Sequence, residues 1–306
     1  MTGNPEVTVV MIFFNADEFI REAIESVLAQ SYTDWELILV DDGSTDRSRG
    51  IAEEYARKCP AKVRVVEHAN GENRGMSASR NLGVEEGRGE YIAFLDADDV
   101  WEREKLREQV EILKREPEAA MVYGATEYWF SWSGREEDRH RDYVAHLGLR
   151  PDTLMRPPQL LTLLLESKAP TPCPSDILLR RETIERAKGF EEQFRGIYSM
   201  FEDQAFLSKV YIQSPVFVTN KRWFKYRQHA SSCCFVVSKA QQKFEAGLFF
   251  FDWLEKYLRE QGEADPRLLQ ALKGKRWRYK HPSLHRWSES ARLFLRQTGQ
   301  ILRAKA

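Results

Sequence analysis

Val7 to Phe14 reads VTVVMIFF, a continuous apolar and β-branched run of the kind found in a strand covered on both faces. Behind it Phe19, Ile20, Ala23, Ile24, Val27 and Leu28 recur at helical spacing, with Glu18, Glu22 and Glu25 on the other face. Asn15 or Asp17 is placed to cap that helix. A second strand is expected from Trp35 to Asp41, then a helix opening at DGSTD, and a third short strand from Val63 to Glu67. Ser77 to Glu86 reads as a helix that Gly87 and Gly89 stop. Tyr91 to Leu95 is a fourth strand and runs straight into Asp96-Ala97-Asp98-Asp99. Strands alternating with helices predict an α/β fold, a mainly parallel sheet flanked by helices. Ligands of such sheets bind beyond the carboxyl ends of the strands. Both acidic clusters, Asp41-Asp42 and Asp96/Asp98/Asp99, fall at those ends.

After Met121 the pattern loosens. A strand is expected through Val122 to Trp132, followed by a polar stretch from Ser133 to Arg141. A Pro-rich segment, Ala169 to Pro174, precedes an apolar stretch at Ile177 to Leu179. Beyond Ser238 the chain turns helical, most strongly in KFEAGLFFFDWLEKYL. There is no internal repeat and no low-complexity tract.

Composition narrows the class. With 306 residues, 42% hydrophobic and 12% aromatic, the chain can bury a sizeable core, which excludes global disorder. The 4 cysteines (Cys59, Cys173, Cys233 and Cys234) form no CxxC pair, which argues against a zinc site or a disulfide framework. No apolar run approaches the roughly 18 residues of a membrane span. The start, MTGNPEV, lacks the basic and apolar regions of a signal peptide, so a soluble, cytoplasmic protein is expected. Charge is uneven. Lys273 to Ala306 carries ten Lys or Arg against one acid, Glu289, which leaves 36 bases against 46 acids in the rest.

The spacing of Asp96 and Asp98 lets both carboxylates face one cleft, where their repulsion is relieved by a hard divalent cation. Such cations take a carboxylate or two and complete their shell with substrate phosphate oxygens. A DxD after a strand therefore predicts a metal–diphosphate site, whereas Asp46, in the run GSTD, reads as a helix cap or turn residue. The residues after the first strand, FFNADEF, contain no glycine, which excludes a dinucleotide-binding oxidoreductase. They also argue against a sugar nucleotidyltransferase, and no GK[ST] exists for a P-loop.

The segments VTVVMIFFNADEFIREAIESVLAQSYTDWELILVDDGSTD and NRGMSASRNLGVEEGRGEYIAFLDADD closely resemble the nucleotide-sugar half of the family 2 glycosyltransferases. The resemblance continues through PSDILLRRETIERAKGFEEQF, MFEDQAFLSKV and YRQHASS, so it spans roughly Val7 to Ser232. It implies a GT-A type, Rossmann-like mixed and mainly parallel sheet with a helical C-terminal extension. Residues 1–120 would form the nucleotide-sugar-binding half, 121–237 the acceptor-binding and catalytic-base half, and 238–306 a basic helical extension. The implied activity is inverting transfer of a sugar from a nucleotide diphosphate sugar, a UDP-sugar first, to a hydroxyl of a glycan or lipid-linked acceptor. Mn2+ or Mg2+ would assist.

By this resemblance Phe14, Asn15, Asp41 and Asp42 would hold the base, and Asp96 would lie near the ribose. Arg80 and Asn81 would border nucleotide and sugar. Asp98 would bind the metal, with Asp96 and His229 close to it, and Asp203 would be the general base, with Glu202 beside it. One departure is Ile12, where the family often has Pro, so the backbone around Phe14 and Asn15 is expected to sit differently against the base. The competing interpretation is a catalytically silent glycosyltransferase-like scaffold, against which the DxD and ED elements speak.

The tail is the last feature. Between Arg286 and Arg303, Trp287, Ala291, Phe294 and Ile301 recur at near-helical spacing among arginines. The acidic body would repel a nucleic-acid backbone. The expected partner of 273–306 is therefore an anionic membrane surface, met peripherally at its inner face.

Overall fold

The computed structural model describes residues 3–232, Phe235 and 242–282. Its first half alternates as expected: β1 (Val7–Phe13), α1 (Ile20–Leu28), β2 (Trp35–Asp41), α2 (Ser48–Lys58), β3 (Val63–Glu67), α3 (Met76–Glu86) and β4 (Tyr91–Asp96). A two-residue strand β5 (Val100–Trp101) and α4 (Lys105–Arg115) follow. The second half contains β6 (Met121–Tyr123), β7 (Glu127–Trp129), β8 (Tyr143–Val144), β9 (Thr153–Met155) and α5 (Gln159–Leu165). After these come β10 (Leu178–Arg180), α6 (Arg181–Ala187), α7 (Glu202–Gln213), β11 (Val216–Val218), β12 (Phe224–Arg227), α8 (Gln242–Glu260) and α9 (Pro266–Lys280).

An eight-stranded sheet runs β3-β2-β1-β4-β10-β6-β11-β9, and a four-stranded one runs β5-β12-β7-β8. The first four strands of the large sheet are parallel, and β10 then enters antiparallel to both β4 and β6. The continuous apolar run of β1 has a direct cause. Val7, Val9, Met11 and Phe13 pack with α1, α2 and α4 on one face. Val10 and Ile12 point to the other, where α3, α6, α7 and α8 contribute Val84, Ile184, Phe206 and Phe250. Each such fully buried side chain contributes about 1.5–3 kcal/mol.

Several expectations are corrected. The strand through Val122 to Trp132 is broken: β6 ends at Tyr123, β7 joins the other sheet, and a single 3-10 turn occupies Ser131–Ser133. The break lies at Gly124, where a Cβ would stand 2.2 Å from the Lys221 carbonyl oxygen. Neither Asn15 nor Asp17 caps α1, whose first turn follows Phe19 without a side-chain cap. Gly87 and Gly89 follow α3 without left-handed backbone, Gly87 having φ −80°. Their lack of a side chain lets the chain cross β1, since a Cβ on Gly89 would lie 2.4 Å from the Thr8 nitrogen. The helix beyond Ser238 begins, within the described residues, at Gln242, and α8 and α9 bury Phe250, Phe251, Leu254, Leu268 and Leu272 in the main core. Cys233, Cys234 and the tail residues Trp287, Ala291, Phe294 and Ile301 lie outside the described residues.

Candidate active site

Parallel register builds the site. Phe13 pairs with Asp41 and Ile12 with Asp96, so the ends of β2, β1 and β4 form one ledge. At its β2 side, the buried Asp41 accepts the Ser44 N–H at 2.8 Å. Asp42 accepts the N–H groups of Arg74 (2.7 Å) and Gly75 (3.0 Å), which ties the end of β2 to the start of α3. The turn between them requires glycine at 43: its φ is +84°, and a Cβ would approach the Gly71 carbonyl oxygen to 2.9 Å. Asn15 sits in left-handed backbone, φ 49°, a conformation that asparagine tolerates. Its Oδ1 accepts the Thr45 N–H at 2.8 Å. Phe14 stands beside it as an exposed ring, 51% accessible. Asp46, as expected, serves a helix start: it accepts the Ser48 N–H at 2.9 Å.

Arg80 is the hub between the two halves. Its buried guanidinium donates to Asp96 at 2.7 Å and to Glu202 at the head of α7. Asn81 grips the Phe190 backbone at both ends, accepting its N–H at 2.7 Å and donating to its carbonyl at 3.0 Å. Both residues thus stitch α3 to the second half of the chain.

At the end of β4 three acids have three fates. Asp99 is buried, accepting the Ser175 hydroxyl (2.6 Å) and the Arg227 N–H (3.0 Å), and burial pushes its carboxyl well up. Asp96 is half-buried and turned to Arg80. Asp98 meets His229 Nε2 at 2.9 Å, while His229 Nδ1 faces the Ser231 hydroxyl at 2.7 Å. The expected three-residue metal set is therefore not assembled. Among the described residues no three His, Cys, Asp or Glu side chains converge as a metal site. Asp98 and His229 are the pair brought together. They suit a hard cation that completes its shell with phosphate oxygens.

Arg227 has a part in this arrangement that sequence reasoning missed. It donates to the Asp98 carbonyl at 2.7 Å and to Glu22, and its guanidinium lies 4.6–5.0 Å from the rings of Trp129, Phe19 and Trp132. Its position two residues before His229 in YRQHASS is the signal that could have found it. Ser175, which bridges the Asp96 N–H and Asp99, left no comparable signal.

Glu202 and Asp203 share the first turn of α7. Burial raises the Glu202 carboxyl to about 8, against the pull of Arg80 and with Asp203 and Asp96 adding repulsion. One guanidinium faces three neighbouring acids here, and Glu202 lies buried among them with Oε2 unpartnered among the described residues. Asp203 is raised to about 6, mainly by burial and against the Gln204 N–H, which it accepts at 2.6 Å. Asp203 also borders a cavity of about 640 Å³ between α5, α7, α8 and α9. That cavity touches none of the strand-end acids, so Asp203 is the acid that faces it.

Comparison with known proteins adds to this geometry. The family model described as Glycosyl transferase family 2 matches residues 8–187. The Bacillus subtilis protein EpsH, named as a glycosyltransferase, is 30% identical over 270 residues, covering 85% of this chain and 71% of its own. The uncharacterized glycosyltransferase EpsJ of the same organism is 46% identical over 95 residues, 31% of this chain but only 26% of EpsJ. Among solved structures, S. aureus TarS 1-349 in complex with UDP-GlcNAc aligns with TM-score 0.63 at 17% identity, covering 91% of this chain and 73% of TarS 1-349. The mannosyltransferase PcManGT of Pyrobaculum calidifontis, in complex with GDP-Man and Mn2+, gives 0.62 at 20%, covering 98% and 81%. At such identities the likeness is one of fold.

Proposed function

Because the chain belongs to glycosyl transferase family 2 and has the GT-A type fold, we propose that it transfers a sugar from a nucleotide diphosphate sugar, UDP-linked first, to an acceptor hydroxyl with inversion. The observation that carries the proposal is the place of Asp203. It is joined to the strand-end ledge through Glu202 and Arg80, and it opens on a separate cavity. A base that removes the acceptor proton needs that position between donor and acceptor. A single in-line displacement needs no covalent intermediate.

In this reading Phe14 supplies an exposed ring face for the base, and Asp41, Asp42 and Asn15 hold the loops around it. Arg80 fixes Asp96 toward the ribose and holds Glu202 behind Asp203. Glu202 is therefore a positioning residue, and Asn81 acts likewise through Phe190. Asp98 and His229 would hold Mn2+ or Mg2+, which when bound offsets the charge of the departing diphosphate. Asp203 takes the proton of the attacking hydroxyl.

The acceptor is proposed to be a glycan or a lipid-linked sugar, met at an anionic membrane surface through the basic segment. Among the described residues no helix is long and apolar enough to cross a membrane. The test is nucleotide release from UDP-, GDP- and dTDP-sugars, with and without manganese. Release from one donor class, abolished in Asp203→Asn, supports the proposal, whereas no release from any donor favours the silent scaffold.

A further inference from the structure

We propose that the cavity beside Asp203 takes an acceptor bearing an anionic group, a phosphate or a carboxylate, held between Lys243 and Lys275. The proposal rests on the glycosyltransferase reading and adds to it the charge of the acceptor. At about 640 Å³ the cavity is within the range of small-molecule sites, roughly 300–1,000 Å³. Among the described residues three lysines line it, Lys168, Lys243 and Lys275, and the one lining carboxylate is Asp203. In a chain with 47 acids and 46 bases, this is a local excess of cations.

The lysines differ in their partners. Lys168 pairs at 2.8 Å with Glu166, a carboxylate it shares with Arg267. Lys275 reaches only the Ser167 hydroxyl, and Lys243 has no hydrogen-bond or ion-pair partner among the described residues. The nearest acid in sequence, Glu245, lies two residues along α8 and accepts the Tyr198 hydroxyl at 3.3 Å. Burial first, and then Arg278 and Lys243, push the Lys275 ammonium below its usual range. Among the described residues these cations have no counter-charge between them, and an anion there removes their repulsion.

A second observation points to a ligand in the same place. Tyr211 lines the cavity, is 2% exposed, and its hydroxyl has no partner among the described residues. A buried hydroxyl left unmatched is costly, and a sugar hydroxyl would satisfy it. Leu161, Leu165, Phe251 and Tyr279 supply an apolar wall for the C–H faces of a sugar ring. The cavity therefore combines an apolar wall, a free phenol, a cation pair and, at its border, the proposed base.

The experiment titrates the full chain, saturated with UDP to fill the donor side, with glucose 6-phosphate, glucuronate and glucose by calorimetry. At least one anionic sugar is expected to bind tenfold or more tightly than glucose. That advantage should vanish in Lys243→Gln/Lys275→Gln and in Lys243→Glu, the latter at an exposed position where folding is not at stake. UDP affinity should stay within twofold in both variants. Preference for glucose 6-phosphate assigns a phosphate, and preference for glucuronate assigns a carboxylate. Equal affinity for all three sugars, no binding of either anion, or an unchanged advantage in the variants would overturn the proposal. Failure of the wild-type chain to bind UDP counts against the donor reading alone, since the anionic sugars still judge the lysine pair.

Discussion

The strand-end ledge and the cavity behind α7 are built from opposite materials. On the ledge, Asp41, Asp42, Asp96 and Asp99 are each held by backbone N–H groups, a hydroxyl or a guanidinium. Parallel register alone brings them together. The cavity has lysines, leucines and aromatic rings from α5, α8 and α9, of which α8 and α9 lie outside the family-matched residues 8–187. The ledge presents organised acids, and the cavity, among the described residues, presents Lys243 and Lys275 without an ion-pair partner. The difference teaches that the ledge follows from the sheet, whereas the cavity, the proposed acceptor side, is set in part by later helices that lie outside the family-matched residues.

The comparison is broken most severely at Arg80, which serves both regions. Arg80→Met leaves Asp96 and Glu202 without their shared cation, and a loss of about 3–5 kcal/mol is expected in urea unfolding. Adding Glu202→Gln should restore part of it, and a loss below about 1 kcal/mol would show that the triad does not hold the halves together. Next in size, Asp203→Asn should reduce turnover roughly a hundredfold or more while leaving UDP affinity unchanged. Turnover within a few-fold of wild type would move the base elsewhere, with Glu202 to be tested next.

Asp98→Ala acts on the ledge alone. It should abolish the manganese-dependent part of UDP binding and leave the fold intact, and calorimetry showing wild-type affinity would remove Asp98 from the metal. The two acids of α7 also predict opposite pH responses. Asp203 must be ionised to accept a proton, so activity should rise with pH through about 6. Glu202 has its folded pKa raised to about 8 from 4.5, so its contribution to stability is complete below about 4.5 and is lost as pH climbs through 8. Glu202→Gln should flatten that decline in a series of urea melts, and an unaltered slope would assign it to another group. The smallest effect concerns the tail. Because Leu268, Leu272 and Tyr279 of α9 pack on the core, the informative truncation ends at Pro282. Weaker co-sedimentation of the truncated chain with anionic vesicles is expected, and equal binding would exclude 283–306 as the anchor.

The first half was legible because its strands are buried on both faces and its turns are short. Trp35–Asp41 and Val63–Glu67 occur where the apolar runs place them. Helix starts were less legible, since Asn15 bonds across to Thr45 instead of capping α1. The expected strand from Val122 failed at Gly124 through a contact with Lys221, nearly a hundred residues away, which no local pattern carries. The same holds for the site. Asp98 and His229 meet across 131 residues, and motif resemblance named both. Asp96 was named as well, but its engagement by a buried arginine depends on how α3 packs against α7. The lysines of the cavity belong to no motif at all.

The aromatic cage around Arg227 has an optical consequence. Trp132 lies against Phe19 with ring centroids 5.4 Å apart and against His229 at 6.4 Å, and His229 in turn touches Asp98. Binding at Asp98 is expected to perturb this indole through His229, which gives the protein its own fluorophore beside the proposed metal site. Donor binding can then be followed in unlabelled enzyme by emission near 132, with Trp132→Phe as the dark control.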